Sequence, residues 1–212
     1  KQKILLEKQL AVQYERQRIS AEMHDDIGAG LSGIRLMTEM AKMKSKDDET
    51  GSEIEKIYNS VGDISSKKKE VIWSLNTEND SLGNLLSYLQ KQARQMMENY
   101  PGSFTITIPE QIPDIKIGGE TRRHIYLTVK EALHNIIKHS GADKINLVIA
   151  CAGKLIIKVS DNGKGMNTGD SSNSGNGLKN MRNRMEQIGG NFSVENNQGL
   201  TLIFEIPLKP AL

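Results

Sequence analysis

Apolar residues recur at helical intervals through the first half of the chain and at alternating positions through the second. Val12, Ile19, Met23, Ile27, Leu31 and Ile34 are spaced mostly by four and three, which places them on one face of a helix. The polar segment Ser45-Lys46-Asp47-Asp48-Glu49-Thr50-Gly51 interrupts that series. A heptad series follows, Ile54, Ile57, Val61, Ile64, Lys68, Val71 and Leu75, in which Lys68 is the one charged member. The pattern predicts a helical hairpin from Lys1 onward, with helical character persisting to about Met97. At ~1.5 Å per residue the first helix would run on the order of 60 Å, and a lone hairpin of that length cannot cover both stripes. Pairing of two chains into a four-helix bundle is therefore expected; packing of the hairpin on its own C-terminal half is the alternative.

From Pro101 the periodicity changes. Short β-rich runs predict strands over 104–108, 145–150, 155–160, 191–197 and 201–206, with Gly153 in the turn between the second and third. Helical spacing predicts one helix over about 120–139 and another over about 178–188. Helices alternating with strands and hairpins imply a layered α/β sandwich of about 110 residues, enough for its own core. The expected organisation is a helical hairpin over 1–98 followed by an α/β domain over 99–212.

Composition narrows the class. Of 212 residues 37% are hydrophobic and 25% charged, with 19 Gly against 5 Pro, which excludes a disordered or collagen-like chain. The single cysteine, Cys151, cannot form an internal disulfide and reads as strand packing, so a cytoplasmic setting is expected. No run approaches the ~18 apolar residues of a membrane span, and no basic-then-apolar leader opens the chain. Lys plus Arg number 28 and Asp plus Glu 26 without segregation, so direct nucleic-acid binding is not expected. The chain opens without Met on a segment that already reads as helix, which suggests that a further part, anchored in a membrane, precedes it.

Candidate chemistry concentrates in the second half. On the helix near residue 130, Ile125, Val129, Leu133 and Ile136 form the expected buried face, while Glu131, Asn135 and Lys138 fall within roughly 60° on another. A carboxylate, an amide and an ammonium in one row suit a Mg²⁺ ion, its waters and a phosphate, although an ordinary solvated face has the same composition. Asp161-Asn162-Gly163-Lys164-Gly165-Met166 places a carboxylate at a strand end before two glycines. Asp161 is suited to accept a hydrogen bond from an adenine amino group. Residues 167–174 are polar and lack core positions, the composition of a lid. Gly175-Asn176-Gly177-Leu178 then opens a helix whose free N–H groups and dipole favour phosphate.

These segments together resemble a known family. Glu131-Ala132-Leu133-His134-Asn135-Ile136-Ile137-Lys138-His139-Ser140 is similar to the N box of the ATP-binding domain shared by histidine kinases, gyrase-type topoisomerases, Hsp90 and MutL. Asp161-Asn162-Gly163-Lys164-Gly165 resembles its G1 box, Gly175-Asn176-Gly177 its G2 box, and Gly199-Leu200-Thr201 its last Gly/Thr element. The resemblance implies a Bergerat-type α/β sandwich that binds ATP and Mg²⁺. It assigns the metal to Asn135, adenine to Asp161, and a catalytic role to Glu131. It further assigns nucleotide contacts to Lys138, His139, Gly163, Gly165, Met166, Gly175, Gly177, Leu178 and Thr201. The phenylalanine-rich box found in the lid of many kinases is not evident here.

The first half carries a matching element. Arg18-Ile19-Ser20-Ala21-Glu22-Met23-His24-Asp25 resembles the phosphoacceptor box of the histidine kinase subclass paired with helix-turn-helix response regulators. Ile72-Trp73-Ser74-Leu75-Asn76 and Asp80-Ser81-Leu82 resemble the same subclass. His24 lies about 80° from the centre of the apolar stripe, at the expected bundle boundary. The resemblance implies a homodimeric sensor kinase that phosphorylates His24 from ATP, with Asp25 as base and orienter, and passes the group to a receiver-domain aspartate. Members that also dephosphorylate the regulator usually carry Gln four residues after the Asp, where this chain has Ala29, so weak phosphatase activity is expected. A related ATPase or serine kinase using Glu131, and a degenerate scaffold, are the competing readings.

Overall fold

The computed structural model describes residues 2–23, 27–44, 48–166, 176–196 and 198–208, which form two compact units, Lys1–Asn79 and Asp80–Leu212.

The first unit is helical: α1 (Gln2–Glu22), α2 (Gly28–Lys44) and α3 (Asp48–Leu75), closed by a 3₁₀ turn at Thr77–Asn79. The backbone adopts π-type pairing at Met23 and Ile27. α3 packs along α2 and also contacts α1, as the hairpin reading expects. The register is pinned by Arg35, whose Nε and Nη2 donate to Tyr58 Oη at 3.0 and 2.6 Å, and by a Lys42–Glu55 ion pair. Lys68, the charged member of the heptads, reaches across so that a Cβ on Gly28 would lie 2.6 Å from its Nζ. Among the described residues, Val61 is the one apolar side chain of this unit that is fully buried, while Ile27, Ile34, Ile57 and Ile64 stay exposed.

The second unit begins with α4 (Leu82–Met97), capped by Ser81, whose Oγ accepts the Asn84 N–H at 3.1 Å. The expected boundary near residue 98 is therefore corrected to Asn79/Asp80. Leu82, Leu85, Leu86, Leu89, Ala93 and Met97 are all buried, so α4 is core to the α/β unit and does not extend the hairpin. Its start is stitched to residues 115–117: Leu82 N–H donates to the Ile115 carbonyl at 2.9 Å and Ile117 N–H to the Asp80 carbonyl at 3.3 Å. Arg122, wholly without solvent exposure, completes this junction with an ion pair to Asp80 at 2.7 Å.

Then follow β1 (Ser103–Thr107), α5 (Gly119–Asn135), β2 (Lys144–Cys151), β3 (Lys154–Asp161), α6 (Asn176–Gln187), β4 (Asn191–Asn196) and β5 (Leu200–Pro207). The sheet order is β1-β2-β3-β5-β4, with β1 parallel to β2 and the other pairs antiparallel. Alternation along the strands buries Ile145, Leu147, Ile149, Leu155, Ile157, Val159, Leu202, Phe204 and Ile206 on one face. The helices cover that face, giving the two-layer α/β sandwich that the alternation of elements predicts. Ile125, Val129, Leu133 and Ile136 of the 120–139 segment are buried as expected. Tyr88 of α4 meets Tyr126 of α5 edge to face at 5.1 Å between centroids, and Phe192 stacks on Phe204 at 5.2 Å.

Candidate functional site

One cavity of about 490 Å³ opens between the C-terminal end of α5, the end of β3, the start of α6 and β5. Its walls are Ala132, Asn135, Ile136, His139, Ser140, Asp161, Gly165, Met166, Gly177, Leu178, Leu200 and Leu202. The predicted site residues Asn135, His139, Asp161, Gly165, Met166, Gly177 and Leu178 thus converge from segments far apart in the chain.

The helical spacing holds as far as Asn135, after which Ile136–Ser140 form a π turn ended by Gly141 at φ +63°. The wider turn advances each residue by less than 100°, so Lys138 leaves the row of Glu131 and Asn135. Lys138 is exposed and does not line the cavity, whereas His139, also exposed, stands in its wall. Ser140 fixes the turn: its Oγ donates to the Ile136 carbonyl at 2.8 Å and accepts the Ala142 N–H at 3.0 Å.

The segment after β3 is tied to this turn. Lys164 N–H donates to the Ser140 carbonyl at 3.0 Å, and Asn162 Oδ1 accepts the N–H groups of Asp143 and Lys144 at 3.1 and 2.9 Å. Asp161 consequently points into the cavity with only 8% of its surface exposed. Its Oδ1 accepts the Gly163 N–H at 2.8 Å; its Oδ2 is buried and has no hydrogen-bond partner among the described residues. A buried acceptor without a donor is costly, and an incoming N–H donor is the group that offsets that cost.

Across the cavity, Gly177 near the start of α6 comes against the other wall. A Cβ there would lie 2.6 Å from Glu131 Oε1 and 3.1 Å from Asn135 Nδ2. Two side chains bearing oxygen donors therefore flank the N-terminus of a helix, where free N–H groups attract anions. Among the described residues no three His, Cys, Asp or Glu side chains cluster as a metal site.

Gly163 supports Asp161 without lining the cavity, and Thr201 of β5 pairs with Ser160 of β3, one residue out of phase with Leu200 and Leu202, which do line it. Period-two alternation was the signal for Leu200 and Leu202, and the apolar face of α5 the signal for Ala132 and Ile136; sequence reasoning passed over all four as ligand contacts. His24, Asp25, the polar stretch 167–174 and Gly175 lie outside the described residues. Cys151 is half-buried at the other end of β3's partner strand, and burial pushes its thiol pKa up, so it lacks the thiolate character of a nucleophile.

Comparison with known proteins agrees with this architecture. Residues 120–210 match the family described as histidine kinase-, DNA gyrase B-, and HSP90-like ATPase, and residues 15–80 match the family described as histidine kinase. The two matches lie side by side in the order that makes up the catalytic core of a two-component sensor histidine kinase. It is 27% identical to the sensor histidine kinase LiaS of Bacillus subtilis over 96% of this chain and 57% of that protein. It is 24% identical to the sensor protein VraS of Staphylococcus aureus over 86% of this chain and 52% of that one. The chain thus spans about half the length of these curated relatives. In fold it is similar to the histidine kinase domain of the blue-light activated kinase of Erythrobacter litoralis EL346. The TM-score is 0.57 at 18% identity, covering 85% of this chain and 94% of that one. No described helix is long and apolar enough to cross a membrane.

Proposed function

We propose that this core transfers the γ-phosphoryl group of ATP to His24 and passes it on to an aspartate of a response-regulator receiver domain. The observation that carries the reading is Asp161: a buried carboxylate in a cavity wall, with one oxygen satisfied by Gly163 and the other without a donor among the described residues. The exocyclic amine of adenine is a donor of the right kind, and the apolar walls Ile136, Met166 and Leu202 suit the faces of the base. Glu131 and Asn135 then stand beside Gly177, where the phosphates approach the start of α6. Asn135 is the residue that would hold Mg²⁺, with Glu131 next to it; the ion, when bound, offsets charge on the transferring phosphoryl group. His139 keeps a secondary role at the cavity wall in this reading, and Gly163, Gly165, Gly175 and Leu178 shape the binding loops; Lys138 and Thr201, which do not line the cavity, are given no contact with the nucleotide.

In the transfer, a ring nitrogen of His24 forms a bond to the γ-phosphorus while the bond from that phosphorus to the β–γ bridging oxygen breaks, releasing ADP. Asp25 orients the ring and takes or shares the proton of the other nitrogen. The receiver aspartate next displaces the histidine from phosphorus. Ala29, exposed on α2, carries a methyl group where an amide would orient hydrolytic water, so phosphatase activity is weak.

The exposed Ile27, Ile34, Ile57 and Ile64 support homodimerisation of the hairpin into a four-helix bundle, because a single chain leaves them in water. We further propose that this core serves as the cytoplasmic part of a membrane-anchored sensor; the relatives it resembles are themselves named as sensors.

Incubation with γ-labelled ATP and Mg²⁺ tests the proposal. Acid-labile, base-stable label that is absent from His24→Ala is expected. Phosphate release without protein label would establish an ATPase instead, and absence of nucleotide binding a scaffold. Rapid, kinase-dependent loss of phosphate from the cognate regulator would overturn the phosphatase assignment.

A further inference from the structure

No motif points to Asn196, the last residue of β4, yet its carboxamide grips the main chain of Met166 on both sides. Oδ1 accepts the Met166 N–H at 3.1 Å and Nδ2 donates to the Met166 carbonyl at 2.7 Å. A side chain here offers the two-way pairing that a neighbouring strand would normally supply. Gly165, at φ +66°, approaches the same carboxamide so closely that a Cβ would run into Asn196 Oδ1. Gly199, on the other side of the same turn, closes on the Asp161 carbonyl at φ +124°. The β4–β5 turn therefore braces the cavity segment at both ends, Asp161 and Met166. Between them, the Lys164 bond to the Ser140 carbonyl is the last main-chain anchor before Met166 among the described residues.

Asn196 does not line the cavity, but the two residues it holds, Gly165 and Met166, both do. We infer that Asn196 is a positioning residue for nucleotide binding, one that keeps Gly165 and Met166 set as a wall for the adenine base. The inference rests on the assignment of this cavity to ATP. Without the grip, these residues are free before binding and must be ordered by the nucleotide, so the loss falls on affinity. Because the wall faces the base, the loss is the same for ADP as for ATP. The chemical step, which takes place at the γ-phosphate, is untouched.

The test uses the whole 212-residue chain and its Asn196→Ala and Asn196→Asp variants, each titrated with Mg-ATP and Mg-ADP well below its melting temperature. Asn196→Asp keeps an acceptor for the Met166 N–H but sets a carboxylate against the Met166 carbonyl. Both variants are expected to bind ATP and ADP about tenfold more weakly, with KM for ATP raised to match and kcat at saturating ATP within about twofold. Hydrogen exchange at the Met166 amide is expected to quicken in Asn196→Ala. Variants that bind both nucleotides as the parent does, even with a lowered melting temperature, overturn the inference alone and leave the function standing. A parent chain that does not bind ATP overturns the function, and this inference falls with it.

Discussion

Arg122 Nη2 donates to Asp80 Oδ1 at 2.7 Å from a side chain that has no exposed surface, while Asp80 itself keeps 11%. The pair joins the first residue of the α/β unit to its central helix, and loss of Asp80 takes an ion-pair partner from a fully buried guanidinium. Asp80→Ala is expected to destabilise that unit by about 3–5 kcal/mol, read as a lowered denaturation midpoint. Replacement of both by apolar residues of similar volume is expected to recover much of the loss.

Gly177 separates stability from ligand binding. Alanine there adds helix propensity at the start of α6, yet its Cβ would meet Glu131 Oε1 at 2.6 Å and displace the side chains beside the phosphate position. Gly177→Ala is expected to leave the melting temperature equal or higher while weakening ATP binding about fivefold, the effect of forcing side chains off their rotamers by about 1 kcal/mol. Calorimetric titration alongside thermal melting measures both.

Asp161→Ala removes a buried acceptor that has no donor among the described residues and is expected to weaken ATP binding by about 1–3 kcal/mol. GTP offers an oxygen where ATP offers an amine, so the parent chain is expected to prefer ATP and the variant to lose that preference. Competition titrations with the two nucleotides read the difference.

His124 lies between α5 and α6 with Glu120 and Arg123 on its own helix and Arg184 on the facing one. Burial, reinforced by the two arginines and opposed by Glu120, lowers its pKa from the ordinary 6.5. The unfolded chain therefore takes up a proton at a higher pH than the folded one. The stabilisation from neutral His124 is complete above about pH 6.5 and is lost as pH falls toward the folded pKa. Melting temperatures of the parent and of His124→Gln are expected to hold a constant gap above pH 7 and to shift in favour of the variant as the pH falls.

The elements of the fold were legible because burial leaves a period in the sequence. Ile145, Leu147 and Ile149 announce a strand covered on one face, and Ile125, Val129 and Leu133 a helix covered on one face. What α4 packs against was not legible: Leu85, Leu86, Leu89 and Ala93 give the same helical spacing whether they face a hairpin or a sheet. The boundary was misplaced for that reason. In the site, the motif glycines Gly165 and Gly177 stand where a Cβ would strike a neighbouring side chain, Asn196 at the first and Glu131 at the second, and those neighbours were not legible from the glycine pattern. The π turn after Asn135 could not be read from residue types, and it carried Lys138 away from its expected row. Asn196 gave no signal at all, because its partner is main chain thirty residues earlier, and main chain has no residue code.

The order β1-β2-β3-β5-β4 leaves two open edges, and both are poor templates for a sixth strand. β1 has five residues and β4 six, and their exposed positions include Ser103, Thr105 and Thr107 on one and Asn191, Ser193 and Glu195 on the other. Short polar edges of this kind resist edge-to-edge polymerisation. When many copies crowd together, such edges resist the kind of contact that would build a fibre, and the exposed apolar positions of the helical unit remain the faces on which copies can meet.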